Sequence, residues 1–320
     1  MLPDKKIIFI INPIAGIRRK QAVLDMITEK FPAGSFETVF TEYQGHAREI
    51  AAKKLAEGHD CLVAVGGDGT VNEVASALVN TTGKLGIIPS GSGNGLARHL
   101  RIPLQLALSV EIIRQHKIQV IDAGKVNGRY FFCTCGTGFD AKVGKKFARE
   151  SKRGMRSYVR AIIHQYIVYS PKRYILKTEN KKIKLDAFMI TFANSAQYGN
   201  NAYIAPNAII NDGFLDLCIL RPFPKTSTLE LGLRLFFKNI DQSPYLEVMR
   251  IKKASLKRKG KTKITLHFDG EPVKTRAKLK VKVIPDALQV MVPLSIKRKA
   301  GLPPVILNKL KPKKSGNISQ

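Results

Sequence analysis

The chain contains no tryptophan, only four cysteines, and far fewer acidic than basic residues, 24 against 54. The cysteines stand at positions 61, 133, 135 and 218, with neither metal-knuckle spacing nor a paired framework. Reduced, buried thiols of a cytosolic protein are therefore expected, not disulfides. The one-residue gap between Cys133 and Cys135 predicts that both share one face of a strand. Long apolar runs are missing too. The run from Ile7 to Ile11 is far shorter than the roughly 20 residues of a membrane span, and too short for a signal core. The chain is thus expected to be soluble, or to meet a membrane only at its surface.

Several familiar motifs are also absent. No G-x-x-x-x-G-K-[ST] phosphate loop occurs, because Ser255 stands where the first glycine should precede Gly260-Lys261-Thr262. No G-x-G-x-x-G and no G-x-S-x-G is present, which argues against a dinucleotide fingerprint and a hydrolase elbow. Six histidines are scattered without metal spacing and are expected in surface or core roles. There is no internal repeat.

What remains is a chain of 320 residues, 44% hydrophobic, with a formal charge of +30. Its length allows one large domain or two ordinary ones. Its charge favours anionic partners: nucleic acid, anionic lipid or phosphorylated substrates. "KKIIFIINP", "FETVFTEY", "DCLVAVGG" and "KLGIIP" read as strands. "RKQAVLDMITEKF", "HAREIAAKKLAEG" and "TVNEVASALVN" read as helices between them. This alternation predicts a doubly wound, mostly parallel α/β sheet. After about residue 120, short strand-like pieces follow one another, with a hairpin at Asn127-Gly128, and predict an antiparallel β-sandwich. Two helical stretches interrupt it, about 154 to 170 and "TSTLELGLRLFF".

"GGDGT", residues 66 to 70, falls at the end of a buried strand, where open parallel sheets bind ligands. Glycines admit a ligand to the backbone, and the following helix start favours phosphate. A carboxylate among them, Asp68, suits a nucleotide phosphate carrying Mg²⁺. A second glycine-rich loop, "PSGSGNG" (89–95), and a third, "NPIAGIRRK" (12–20), lie at neighbouring strand ends and make one cleft. "KKASLKRKGKTK" (252–263) reads as a hairpin-like basic piece before "FDGEP", fit either to meet an anionic membrane or to shield a sheet edge.

The ordered set "NPIAG", "GGDGTVNEV", "PSGSGNGLAR", "GTGFDAKV", "NDGFLDL" and "FDGEP" resembles the diacylglycerol-kinase catalytic family, with its sphingosine- and ceramide-kinase relatives, over nearly the whole chain. The resemblance implies an ATP-binding α/β domain over residues 1–120, joined by a return segment at about 291–310. It also implies a lipid-binding sandwich over 121–290, with 311–320 as a basic flexible tail. The implied activity is transfer of the ATP γ-phosphate to a hydroxyl of diacylglycerol, a sphingoid base or ceramide. ATP is implied to lie on Asn12, Pro13, Ile14, Ala15, Gly16, Thr41, Gly66, Gly67, Asp68, Gly69, Thr70, Val71, Asn72 and Ser92. Asp68 is implied to organise Mg²⁺ and the phosphates, and Glu271 to be the general base. A structural Mg²⁺ is implied on Asp212 and the carbonyls of Ile209 and Phe214, and a lipid head group on Asp140. Gly95 departs from the many bacterial diacylglycerol kinases that carry an acidic residue after the loop asparagine.

The expected setting is cytoplasmic, with peripheral attachment to an anionic membrane. The oligomeric state is open, a homodimer being one option. An NAD kinase-like phosphotransferase is the rival enzyme. A basic nucleic-acid-binding protein is the rival of another class, though the lack of tryptophan and of any recognised module argues against it.

Overall fold

The computed structural model describes residues 6–14, 20–147, 166 and 169–294. The first part alternates as expected: β1 (Ile7–Ile11), α1 (Lys20–Lys30), β2 (Phe36–Phe40), α2 (His46–Ala56), β3 (Cys61–Gly66), α3 (Asp68–Leu78), β4 (Lys84–Pro89), α4 (Gly95–His99) and α5 (Leu106–Gln115). Every residue of β1 and β3 is buried, because helices cover both faces of the sheet, and this makes them unbroken apolar runs. The order β2-β1-β3-β4 is parallel throughout.

The rest is mainly antiparallel: β5 (Ile118–Val126), β6 (Arg129–Phe131), β7 (Thr134–Gly138), α6 (Phe139–Phe147), β8 (Lys172–Thr178), β9 (Lys182–Ala187), β10 (Met189–Ala193), β11 (Gln197–Gly199), β12 (Ala202–Tyr203), β13 (Leu215–Leu220), α7 (Thr228–Phe236), β14 (Leu246–Ile251), β15 (Lys253–Arg258), β16 (Lys263–Phe268), β17 (Glu271–Arg276) and β18 (Lys278–Met291). The β5–β6 hairpin turns at Asn127-Gly128, whose φ values of 48° and 94° suit a type I′ turn.

A six-stranded sheet, β14-β13-β10-β7-β16-β17, packs on the C-terminal half of a ten-stranded one. Leu217, Phe192 and Leu266 meet Tyr174, Leu256 and Leu279 between them. Cys218 and Leu220 point to the opposite face of the six-stranded sheet, where Leu231 of α7 helps to cover them.

The sandwich is not detached from the first sheet. β18 is 14 residues long; it runs beside β15 and β5, then pairs in parallel with β4 at Gln289 and Val290. Its register shifts between Ile284 and Leu288, around Asp286 at φ 48°, and such a bulge lets one strand serve two differently directed neighbours.

Several expectations change. The basic piece before "FDGEP" contains β15, which lies between β18 and β8, so it protects no edge. Cys133 packs with the core of the parallel α/β part and Cys135 between the two sheets, not on a common face; all four cysteines are free and buried. The expected helix at 154–170 lies outside the described residues, apart from Tyr166, Tyr169 and Ser170, and so do the return segment beyond 294 and the tail. No helix among the described residues is long and apolar enough to cross a membrane.

Candidate active site

Parallel pairing of β3 with β4, Gly66 opposite Pro89, sets the first two glycine loops side by side at one sheet end. The loops touch through backbone: a methyl group on Gly91 would come within 2.5 Å of the Gly67 Cα. Asp68, first residue of α3, clasps the second loop. Its Oδ2 accepts the Asn94 N–H at 2.8 Å and its Oδ1 the Gly95 N–H at 2.6 Å. Asn94 closes that loop on itself, accepting from the Gly91 N–H at 3.1 Å and donating to the Gly91 carbonyl at 2.7 Å. Burial pushes the Asp68 carboxyl up to about 6, against the pull of the two N–H groups, and the charge of Asp269 adds to the rise.

Beside the clasp opens a cleft of about 880 Å³. Asn12, Ile14, Thr41, Gly69, Thr70 and Asn72 line its α/β side, and Glu271 reaches in from the β16–β17 hairpin. The Asn12 side chain donates to Thr70 Oγ1 at 3.2 Å and accepts the Ile14 N–H at 3.0 Å. Glu271 is exposed, and its Oε1 lies 3.2 Å from where a Gly69 Cβ would stand. Of the other expected nucleotide residues, Gly66, Gly67 and Ser92 belong to the clasped loops, Pro13 lies between two wall residues, and Val71 is buried in the core. Ala15 and Gly16 lie outside the described residues.

Sequence reading missed the part that aims Glu271. Asp269, buried at φ 48°, accepts N–H groups of Phe132 at 2.9 Å, Cys133 at 2.7 Å and Thr134 at 3.0 Å, and the Asn72 side-chain amide at 2.7 Å. Burial raises its carboxyl, and these four donors hold it down. Asn72 also donates to the Tyr130 carbonyl at 3.3 Å, so its amide ties α3 to the sandwich. Glu73, also missed, accepts from Gly45 and Ala47 N–H groups at 2.8 and 3.2 Å and fixes the start of α2. The one signal for Asp269 was its place in "FDGEP".

Asp140 lies in a second polar cluster. Thr191, Gly136 and His267 stand opposite one another on β10, β7 and β16. Asp140 Oδ2 accepts from Thr191 at 3.0 Å and from Tyr198 at 3.5 Å, and lies 3.0 Å from His267 Nε2. Gly136 makes room, since a methyl there would collide with Asp140 and reach 2.6 Å from His267 Nε2. His267 Nδ1 is buried with no partner among the described residues. Phe139, the residue before Asp140, packs on Phe188 and Phe188 on Phe223, with ring centres 4.7 and 4.8 Å apart. A side chain on Gly95 would meet Cys133 Sγ and the Tyr198 carbonyl, each at 3.3 Å. The chain thus leaves little room for a side chain at this position.

At Asp212, where the structural Mg²⁺ was implied, the carboxylate is already engaged. One carboxylate oxygen accepts the Phe214 N–H at 3.0 Å, and the other is ion-paired with Arg250. The Arg250 guanidinium sits 4.4 Å from the Phe214 ring centre, with the Lys252 ammonium at 5.1 Å, and Ile209 is exposed. Arg250 thus engages the carboxylate on which Mg²⁺ was implied. No group of three or more His, Cys, Asp or Glu side chains suited to a metal occurs among the described residues.

Known proteins fit this architecture. Residues 6–126 match the diacylglycerol kinase catalytic domain, and residues 133–292 match the YegS C-terminal NAD kinase beta sandwich-like domain. A Pseudomonas aeruginosa protein named "Probable lipid kinase YegS-like" is 32% identical over 253 residues, covering 78% of this chain and 82% of that one. A Yersinia enterocolitica protein of the same name is 28% identical over 269 residues, covering 78% and 84%. The crystal structure of a Bacillus anthracis diacylglycerol kinase superposes with a TM-score of 0.71 at 19% identity, covering 91% of this chain and 98% of that one, a likeness of fold. The chain belongs to the YegS-like lipid kinases, the family built on the diacylglycerol kinase catalytic domain.

Proposed function

We propose that this protein transfers the γ-phosphate of Mg-ATP to the hydroxyl of a lipid: diacylglycerol, a sphingoid base or ceramide. The carrying observation is the Glu271 carboxylate standing beside Gly69, in the first turn of α3. Helix starts favour phosphate, and a base within reach of that position suits an incoming hydroxyl. In the step, the lipid oxygen bonds to the γ-phosphorus, the bond to the ADP oxygen breaks, and the hydroxyl proton passes to Glu271. The nucleotide occupies the cleft beside Asn12, Thr41, Gly69, Thr70 and Asn72, with Mg²⁺ carried as part of that substrate. Asp68 acts by shaping the glycine loops against the phosphates. The lipid head group contacts the Asp140–His267 cluster, and the protein works at the cytoplasmic surface of an anionic membrane.

The test is transfer of labelled γ-phosphate from ATP into a lipid panel in mixed micelles, with NAD in a parallel soluble panel. Labelled lipid from the wild type, lost in both Asp68→Asn and Glu271→Gln, is expected and identifies the acceptor. Label in NAD alone moves the protein to the NAD kinase class. Label in a lipid that persists undiminished in Glu271→Gln removes Glu271 from the role of base.

A further inference from the structure

Ala254 and Leu256 of β15 are buried against the six-stranded sheet, so Lys253, Ser255 and Lys257 face the other way. The neighbouring strands repeat the pattern. Lys253 stands directly opposite Lys282, and Lys257 opposite Lys278. On β8 and β9, Lys177 stands opposite Lys182. All six are exposed. Acidic relief is sparse: Glu179 lies 3.9 Å from the Lys253 ammonium, and Asp186 is taken by Arg173 at 3.2 Å.

Like charges directly opposed across a sheet are destabilising. Protection of an edge accounts for Lys182, because β9 is an edge strand, but not for lysines on the inner strands β18, β15 and β8. Solubility alone is served by evenly mixed signs, and on this face basic residues far outnumber acidic ones. We infer that this lysine face of the ten-stranded sheet docks on an anionic lipid bilayer. A broad sheet presents its charges to a planar surface together, within a screening length of the lipid head groups. The four strands turn no aromatic ring to this side on which a nucleic-acid base could stack. The face also leads to the cleft. Lys282 stands opposite Lys125 of β5, whose ammonium reaches the Tyr130 hydroxyl at 3.1 Å, and Tyr130 lines the cleft. Docking by this face brings the cleft mouth towards the lipid. The choice of a bilayer over a nucleic acid rests on the lipid-kinase reading.

The experiment is sedimentation of the full chain with phosphatidylcholine vesicles, with and without phosphatidylglycerol, at rising salt. Binding is expected only with phosphatidylglycerol and weakens as salt rises. The variant Lys253→Glu/Lys257→Glu converts two repulsive pairs into attractive ones. Its vesicle affinity is expected to fall more than about tenfold, while its melting temperature holds or rises. A merely structural role for these lysines would lower that temperature. Lys253→Gln/Lys257→Gln supplies the comparison should the reversals not fold. Lipid phosphorylation in uncharged detergent micelles is expected to be unchanged in both variants. A wild type silent there that still binds vesicles sinks the kinase reading and leaves the docking face standing.

Equal binding to both vesicle types, or variants that bind like wild type, overturns the inference. So does a preference for duplex DNA over phosphatidylglycerol vesicles at the same salt. Loss of binding on Leu229→Ser/Leu233→Ser, with the lysine variants unaffected, overturns it in favour of the exposed apolar stripe of α7.

Discussion

Asp68 and Asp269 each belong to an Asp-Gly pair, and both carboxylates are wrapped in backbone N–H groups. Asp68 stands at a helix start and joins two loops of one sheet. Asp269 sits in a hairpin turn and joins the sandwich to the segment after β6 and to α3. Neither is free for proton transfer; both use their charge on amides. Glu271, two residues past Asp269, is the exposed carboxylate, and it keeps its freedom because Asp269 holds the turn beneath it. One Asp-Gly pair therefore shapes a glycine loop, and the other holds the turn that carries Glu271, the base of the proposed reaction.

The sharpest break of that comparison separates rate from stability along three residues. Glu271→Gln is expected to slow lipid phosphorylation by roughly 10² to 10⁴-fold and to change unfolding free energy by less than about 0.5 kcal/mol. Asp269→Ala leaves three buried N–H groups and the Asn72 amide without their acceptor. It is expected to lower stability by on the order of 3 kcal/mol or more. Denaturant titration checks the second effect and labelled-phosphate assays the first. Equal stability losses in the two variants would dissolve the distinction between base and fastener.

Gly136→Ala probes the other carboxylate, Asp140, whose partners are mostly side chains, beside one backbone N–H, that of Ala141 at 2.6 Å. The added methyl meets His267 and Asp140, and overpacking of this kind costs about 1–3 kcal/mol. The expected kinetic signature is a raised KM for the lipid with KM for ATP unchanged. A matched rise in both would place the cluster outside head-group binding.

The smallest effect is a pH dependence. The folded pKa of Asp68 lies above that of an unfolded aspartate. The folded chain therefore binds this proton more tightly between about pH 4 and about pH 6, and this group's contribution to stability falls as pH rises through that window. Burial of Asp216 adds a second such group, also pushed to about 6, so the Asp68 share is read as the difference between wild type and Asp68→Asn. ATP affinity runs the opposite way, because a protonated carboxyl cannot accept both N–H groups. Affinity is expected to weaken below about pH 6 in wild type and to lose that dependence in Asp68→Asn, as titrations with ATP would read.

Much of this protein was legible in its order of residues. Strand–helix alternation, the strand-end position of Asp68 and the turn at Asn127-Gly128 all follow from local periodicity and turn chemistry, which act over a few residues. The ordered motifs likewise carried the family. Tertiary structure decided what depends on distant pairing. His267 reaches Asp140 across 127 positions and Asp269 meets the Phe132 N–H across 137, and no short-range pattern announces either. Pairing with β18 on one side and β8 on the other made β15 an inner strand and turned an expected edge guard into part of a charged face. The ion pair of Asp212 with Arg250, 38 positions away, was likewise not written in the motif. Periodicity sets which side of an element is apolar; register and strand order set which charges then face one another, and those are fixed only when the whole chain packs.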